Sequence, residues 1–138
     1  MKVKGLDGKI HNWNPTNTCM SANDMRERSS GHKLAKELLK KLFPFDNPLE
    51  EVHIPGCSSI LYFDFVLPKQ LLAVEVQGEQ HRKYVQYFHV TPAGFAEQKK
   101  RDGEKRRWCA LNGITLVELH DDRSEQWEKQ IRESRADS

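Results

Sequence analysis

Two acids, Asp64 and Glu75, stand inside apolar runs in the stretch LYFDFVLPKQLLAVEVQGEQH, residues 61 to 81. A carboxylate in a sheet core is costly unless a cation pairs with it or it keeps its proton. If the two runs form an antiparallel hairpin closed symmetrically between Leu67 and Leu72, Asp64 stands opposite Glu75 with Cβ atoms about 5 Å apart. Gln77 shares the face of Glu75, because side chains alternate along a strand. Like charges so placed repel, and a hard divalent cation such as Mg²⁺ or Mn²⁺ removes the conflict, since carboxylate oxygens are its preferred ligands. The competing arrangement is a structural ion pair of either acid with a Lys or Arg such as Lys99 or Arg101. Two acids in register, followed at once by Gly78 and His81, favour the cation.

His81 lies six residues past Glu75, beyond the strand end, where its side chain can reach back toward the acids. An imidazole with a pKa of about 6.5 accepts a proton from water at neutral pH, best when a carboxylate holds its other nitrogen. Asp102 can supply that carboxylate; its competing role is a salt bridge to Lys99 or Arg106 on the same helix.

The elements that must position these groups follow from periodicity. Residues 1 to 25 carry Gly5-Leu6-Asp7-Gly8 and Asn14-Pro15 and read as an N-terminal arm or small hairpin, leaving 26 to 138 as the main domain. Ser29-Ser30-Gly31 caps a helix over HKLAKELLKKLF, with Leu34, Leu38 and Leu42 as its apolar stripe and Pro44 as its stop. Short strands are expected over 50–54, 60–67, 71–77 and 114–119. Helices are expected over 93–111, despite Gly103, and over about 123–134, with Trp127 and Ile131 on one face. The segment EQHRKYVQYFHVTPAG between them looks irregular. Helices layered on a small mixed sheet, an α/β fold, result.

Composition sets the outer limits. With 138 residues, 37% hydrophobic and 30% charged, the chain fits one soluble domain. No apolar run reaches the roughly 18 to 20 residues that span a bilayer. Nor does the N-terminus read as a signal peptide. Cys19, Cys57 and Cys109 are odd in number and far apart, as expected of free thiols in a reducing, cytoplasmic compartment. Charge is uneven: Arg26 to Leu42 holds six Lys/Arg against two acids, and Lys99 to Arg107 again six against two. Lys33, Lys36 and Lys40 in the first segment, with Lys99, Lys100, Arg101 and Lys105 in the second, are candidates for a face that meets a phosphate backbone, or else for solvated helix faces. Tyr84, Tyr87 and Phe88 are candidate wedges between base steps, or core residues. Trp13 is a candidate DNA or dimer contact. A zinc site from His53 and Cys57 with Cys19 or His32 lacks the paired short spacing that such sites show.

The run FDF-x-LP-x(4)-A-x-EVQGEQH, then QKKRDGEKRRWCALNGITLVEL, resembles the PD-(D/E)XK nuclease superfamily over about residues 29 to 120. Within it the similarity is to the very-short-patch-repair-like branch, which includes small phage endonucleases and homing endonucleases with an E-D-x-H-D motif. The resemblance implies a restriction-endonuclease-like core, a small mixed β-sheet flanked by helices, with residues 26 to 138 as the nuclease domain. It implies a metal-dependent DNA endonuclease of homing or phage type, using Mg²⁺ (or Mn²⁺) and no small-molecule cofactor. Asp64 and Glu75 would be the metal ligands, His81 the base or water-positioning group, and Asp102 its partner. Gln77 replaces the lysine of the E-x-K element, so Lys99, Lys100 or Lys105 would have to bring the positive charge. Relatives open the first helix with S-x-G-E; here Ser29-Ser30-Gly31-His32 leaves either His32 or Glu37 for the first acid. The expected partner is DNA, with a homodimer required for a double-strand break, no membrane association, and phage-encoded action in a host cell as one setting. A repair or host-DNA-degrading nuclease, and a catalytically impaired nuclease-fold DNA-binding module, are the alternatives.

Overall fold

The computed structural model describes residues 1–15, 30–77 and 92–136. Its core is a four-stranded mixed sheet in the order β3-β4-β5-β6: β3 (Leu49–Ile54), β4 (Leu61–Leu67), β5 (Leu72–Gln77) and β6 (Thr115–His120). β3, β4 and β5 run antiparallel to one another, and β6 lies parallel to β5. A parallel neighbour demands a long crossover, and α2 (Pro92–Asn112) lies within it. A separate hairpin, β1 (Lys2–Lys4) with β2 (Ile10–Asn12), precedes α1 (Ser30–Leu42), and α3 (Trp127–Ala136) closes the chain after a 3-10 segment, Asp121–Gln126.

The sheet separates two apolar clusters. Ala35 and Leu39 of α1 and Trp127 and Ile131 of α3 pack with Phe65, Leu67, Leu72, Val74, Val117 and Leu119 on one face. Trp108 and Cys109 of α2, with Val3 and Trp13 of the hairpin region, pack with Val52, Ile54, Phe63, Val66 and Ala73 on the other. Helices on both faces therefore cover a mixed sheet, as the sequence periodicity predicts.

The stripe of α1 differs from expectation. Leu34 is exposed, Leu38 and Leu42 sit at the margin, and the buried line is His32, Ala35 and Leu39. A histidine replaces an apolar residue at the head of the stripe, so counting leucines alone places the buried face one position off. The N-terminal hairpin is observed, and it is docked. Trp13 is buried, donates its indole N–H to the His53 carbonyl at 2.9 Å, and meets Trp108 edge-on at 5.0 Å between ring centroids. It is a core residue, not an exposed contact for DNA or a partner.

Gly103 lies inside α2, where glycine costs about 1 kcal/mol relative to alanine. A Cβ there would meet only the Arg107 guanidinium, at 3.5 Å. Gly103→Ala is therefore expected to stabilise the protein by about 0.5 to 1 kcal/mol in thermal denaturation. A loss of stability would show that α2 needs the glycine for a closer approach.

Candidate active site

The β4–β5 register is the expected one: Leu67 pairs with Leu72, Val66 with Ala73 and Phe65 with Val74. The ladder stops there, one step before Asp64 and Glu75 would pair. The cause lies in β4. Phe63 and Leu61 belong to the α2-side cluster, whereas Phe65 and Leu67 belong to the α1-side cluster. Residues two apart normally share a face, so the strand rolls over at Asp64. On the neighbouring strand, Glu50 pairs with Phe65 and Val52 with Phe63, while Glu51 between them has φ 49°. A positive φ costs a non-glycine residue of order 1–3 kcal/mol and is common where backbone strain serves a site.

At this rolled position Asp64 turns its side chain toward β5. Its Oδ2 accepts the Val76 N–H at 2.8 Å, taking the place of the backbone acceptor that the ladder no longer supplies. The carboxyl groups of Asp64 and Glu75 are also within hydrogen-bonding reach of each other. Glu75 is buried, 6% exposed, and its Oε1 accepts from the Lys105 ammonium on α2. The ion-pair partner is thus Lys105, and not Lys99 or Arg101. Lys99 sits 5.5 Å from the centre of the Phe95 ring, and Arg101 is exposed.

Burial, and then the charge of Asp64, push the Glu75 carboxyl well above the ordinary carboxylate range, with Lys105 pulling the other way. An acid whose folded pKa is raised stabilises the fold fully below its unfolded pKa, 4.5 here, and loses that contribution as pH rises through the folded value. In EDTA, the melting temperature of the wild type is therefore expected to fall relative to that of Glu75→Gln as pH rises from about 4.5 toward neutrality. Parallel profiles for the two proteins would show that Glu75 ionises normally.

The remaining α2-facing positions of β5 and β6 continue this polar strip. Glu75 pairs with Glu118 and Gln77 with His120 in the parallel ladder. Glu118 is held by Arg106 in a two-pronged contact, Nε to Oε1 at 2.5 Å and Nη2 to Oε2 at 2.7 Å. That bond, first of all, raises the Arg106 pKa further, and the nearby Asp102 adds to it. Asp102 itself is buried, 6% exposed, one turn before Lys105 and Arg106. Gln77 is buried with no hydrogen-bond partner on Oε1 among the described residues. The expected site residues Asp64, Glu75, Gln77 and Asp102 therefore lie along one strip beside α2. His81 lies outside the described residues, as do Tyr84, Tyr87, Phe88 and Cys19.

Of the two first-acid candidates, His32 is engaged with an acid on a neighbouring strand and, among the described residues, Glu37 is not. His32 is buried against the Phe65 ring, 4.5 Å between centroids, and its Nε2 is 2.9 Å from Glu50 Oε1. Lys36 bonds the other oxygen of Glu50, also at 2.9 Å. Burial opposes ionisation of Glu50, but the bonds from His32 and Lys36 outweigh it and lower the pKa. Glu37 is exposed. The acid that His32 meets is thus on β3, and sequence reasoning missed it because Glu50 stood at an uncertain strand edge. The only signal was that a helix-opening histidine needs a partner once buried.

The basic residues are divided between α1 and α2, which cover opposite faces of the sheet. Lys36 and Lys105 are committed to internal carboxylates, leaving Lys33 and Lys40 exposed on one side and Lys100 and Arg101 on the other. Among the described residues the zinc arrangement is not assembled: His53 is exposed beside Tyr62, His32 serves Glu50, and burial raises the Cys57 thiol to about 11. Among the described residues, no three of His, Cys, Asp and Glu converge on a common point. No helix among them is long and apolar enough to cross a membrane.

No family model and no solved structure matches the chain. Sequence similarity is found to viral proteins. "Uncharacterized protein 307L" of Invertebrate iridescent virus 6 is 42% identical over 59 residues, 43% of this chain and 30% of that protein. "Uncharacterized protein 033L" of Invertebrate iridescent virus 3 is 37% identical over 65 residues, 47% of this chain and 34% of its own length. The aligned segments thus span about a third of each relative.

Proposed function

We propose that the protein is a metal-dependent DNA endonuclease, with Asp64 and Glu75 as ligands of a Mg²⁺ or Mn²⁺ ion. The observation that carries this reading is the charge balance at the end of the β4–β5 ladder. Two carboxyl groups lie within hydrogen-bonding reach, one of them buried, and among the described residues a single ammonium, Lys105, faces them. One cation cannot neutralise two carboxylates, so the pair holds either a proton or a further positive ion. A hard divalent ion that takes one or two protein carboxylates and fills its shell with water and phosphate oxygens suits this donor set. When bound, it supplies Lewis-acid charge to the non-bridging oxygens of a phosphodiester.

The chain's own groups have separable tasks. Asp64, held by the Val76 N–H, and Glu75, held by Lys105, fix the ligand oxygens. Lys105 stands where the strand offers Gln77 in place of a lysine, so α2 delivers positive charge toward the developing phosphorane. His81, with Asp102 as its partner, takes or orients the proton of the attacking water. Homing-type, repair-type and host-DNA-degrading enzymes share this chemistry, and cleavage mapping on a random-sequence library separates a single long site from general cutting. Incubating supercoiled plasmid with the purified chain and Mg²⁺ is the primary test. Nicked product is expected from a single site, and linear product only from a paired assembly; intact plasmid across a Mg²⁺ and Mn²⁺ series would refute the proposal.

The Lys105–Glu75 pair also supports a second reading, a nuclease-like fold that binds DNA without cutting it. Calorimetry with Mg²⁺ separates the two, because a site locked by Lys105 shows no heat that depends on Asp64.

A further inference from the structure

Among the described clefts, one around Lys41, Phe43 and Ile131 lies between α1 and α3, and one around Phe45, Leu49 and Pro68 lies by the β4–β5 turn. A third, of about 410 Å³, is lined by His120, Arg123, Gln126, Lys129, Gln130 and Glu133 at the carboxyl end of β6. It differs from the others in adjoining the acidic strip, because His120 is the ladder partner of Gln77. His120 stands two residues along β6 and one strand over from Glu75, about 8 Å between backbones in sheet geometry, while the rest of the lining comes from the 3-10 segment and α3, on the side of the sheet opposite α2.

The donors of this cleft match an oxyanion. Arg123 offers a guanidinium fork, Lys129 an ammonium and Gln126 an amide, and the opposing Glu133 is engaged by Lys129 at 3.8 Å. His120 adds a directional argument. Its Nδ1 is closed off from solvent without a hydrogen-bond partner among the described residues. A proton there would be a buried unsatisfied donor, so the favoured tautomer carries its proton on Nε2. The wall is also fixed in place. The Trp127 indole N–H bonds the His120 carbonyl at 2.8 Å, and the Gln130 amide bonds the Glu118 carbonyl at 2.7 Å. Within the 3-10 segment, Arg123 departs from helical geometry, at φ −130° and ψ 37°.

We infer that this cleft is a phosphate subsite at the β6 edge of the sheet, in which His120, Arg123, Gln126 and Lys129 hold a backbone phosphate of DNA. The assignment rests on the nuclease reading for its choice of DNA, but its test does not use cleavage. In EDTA, the full-length chain and an Arg123→Gln/Lys129→Gln double variant are compared for binding to a short duplex at several salt concentrations. Both positions are exposed, so folding is not at stake. The expected result is about tenfold weaker binding and a slope of log K against log salt shallower by about 0.9, the value for the one phosphate the variant leaves unneutralised. A Lys9→Gln/Lys69→Gln variant, with the same charge removed elsewhere, is expected to stay within about twofold of wild type. Millimolar inorganic phosphate is expected to shift the His120 ring resonances of the wild type and not those of the Arg123/Lys129 variant.

Duplex affinity and slope unchanged by the double variant would overturn the assignment. So would equal losses in both variants, which would mean general charge attraction. A His120 response to inorganic phosphate with unchanged duplex binding would give the cleft to free phosphate, not DNA. If the wild type binds as expected yet never cuts, the nuclease reading fails while the subsite stands.

Discussion

Asp64→Asn is expected to lower Mg²⁺-dependent cleavage by at least about a thousandfold, roughly 4 kcal/mol of transition-state stabilisation, while duplex affinity changes less than about threefold. The amide is nearly the size of the carboxylate and keeps an oxygen that can accept the Val76 N–H, the bond that pins this side chain where the ladder ends. Folding should therefore survive. What disappears is one of the two negative charges that give the site its affinity for a divalent ion, and with it the repulsion that burdens Glu75. Two signatures should accompany the loss of cleavage: weaker Mg²⁺ binding by calorimetry, and a Glu75 carboxyl that ionises at lower pH. Wild-type cleavage by Asp64→Asn at saturating Mg²⁺ would sink the two-carboxylate site, whatever the fold.

The hairpin register was legible because strand alternation, a short loop and two flanking leucines leave little freedom in how 61–67 meets 72–77. Helices on both faces of a small mixed sheet followed from the alternation of periods along the chain. The roll of β4 at Asp64 was not legible. It shows only when Phe63 and Phe65 are seen to enter different clusters, and the matching positive φ falls on Glu51, a residue type with no preference for that conformation. Partner choice was legible only as a set. Lys99, Lys100 and Lys105 were equivalent in composition, and the helix phase that puts Lys105 on Glu75 depends on where Trp108 and Cys109 enter the core. Glu50 and His120 escaped notice for a related reason. Each stands at the end of a short strand, where the side chain's role is set by a neighbour distant in sequence: His32 for the first, Gln77 for the second.

Gly56→Ala is expected to be the most damaging single substitution to stability, costing about 2 to 5 kcal/mol, enough to lower the melting temperature by about 10 °C or to prevent folding. Two separable penalties meet at this residue. Its φ of +79° disfavours any Cβ, and a Cβ placed there would come within 2.5 Å of the Gly5 Cα and 3.0 Å of the His11 ring. The backbones touch because the hairpin is clasped to the loop after β3, with the Leu6 N–H donating to the Gly56 carbonyl at 2.9 Å. Two other glycines divide the penalties. Gly8 has φ +80° but open space around it, so Gly8→Ala should cost only the conformational part, about 1 kcal/mol. Gly5 lacks a positive φ, yet its Cβ would lie 2.5 Å from Asp7 Oδ1 and 2.8 Å from the Gly56 Cα, so Gly5→Ala should report crowding alone. The order Gly8, then Gly5, then Gly56 in thermal denaturation is the expected outcome. If Gly56→Ala instead melts like Gly8→Ala, the clasp is loose, and Val3 and Trp13 reach the α2-side cluster without it.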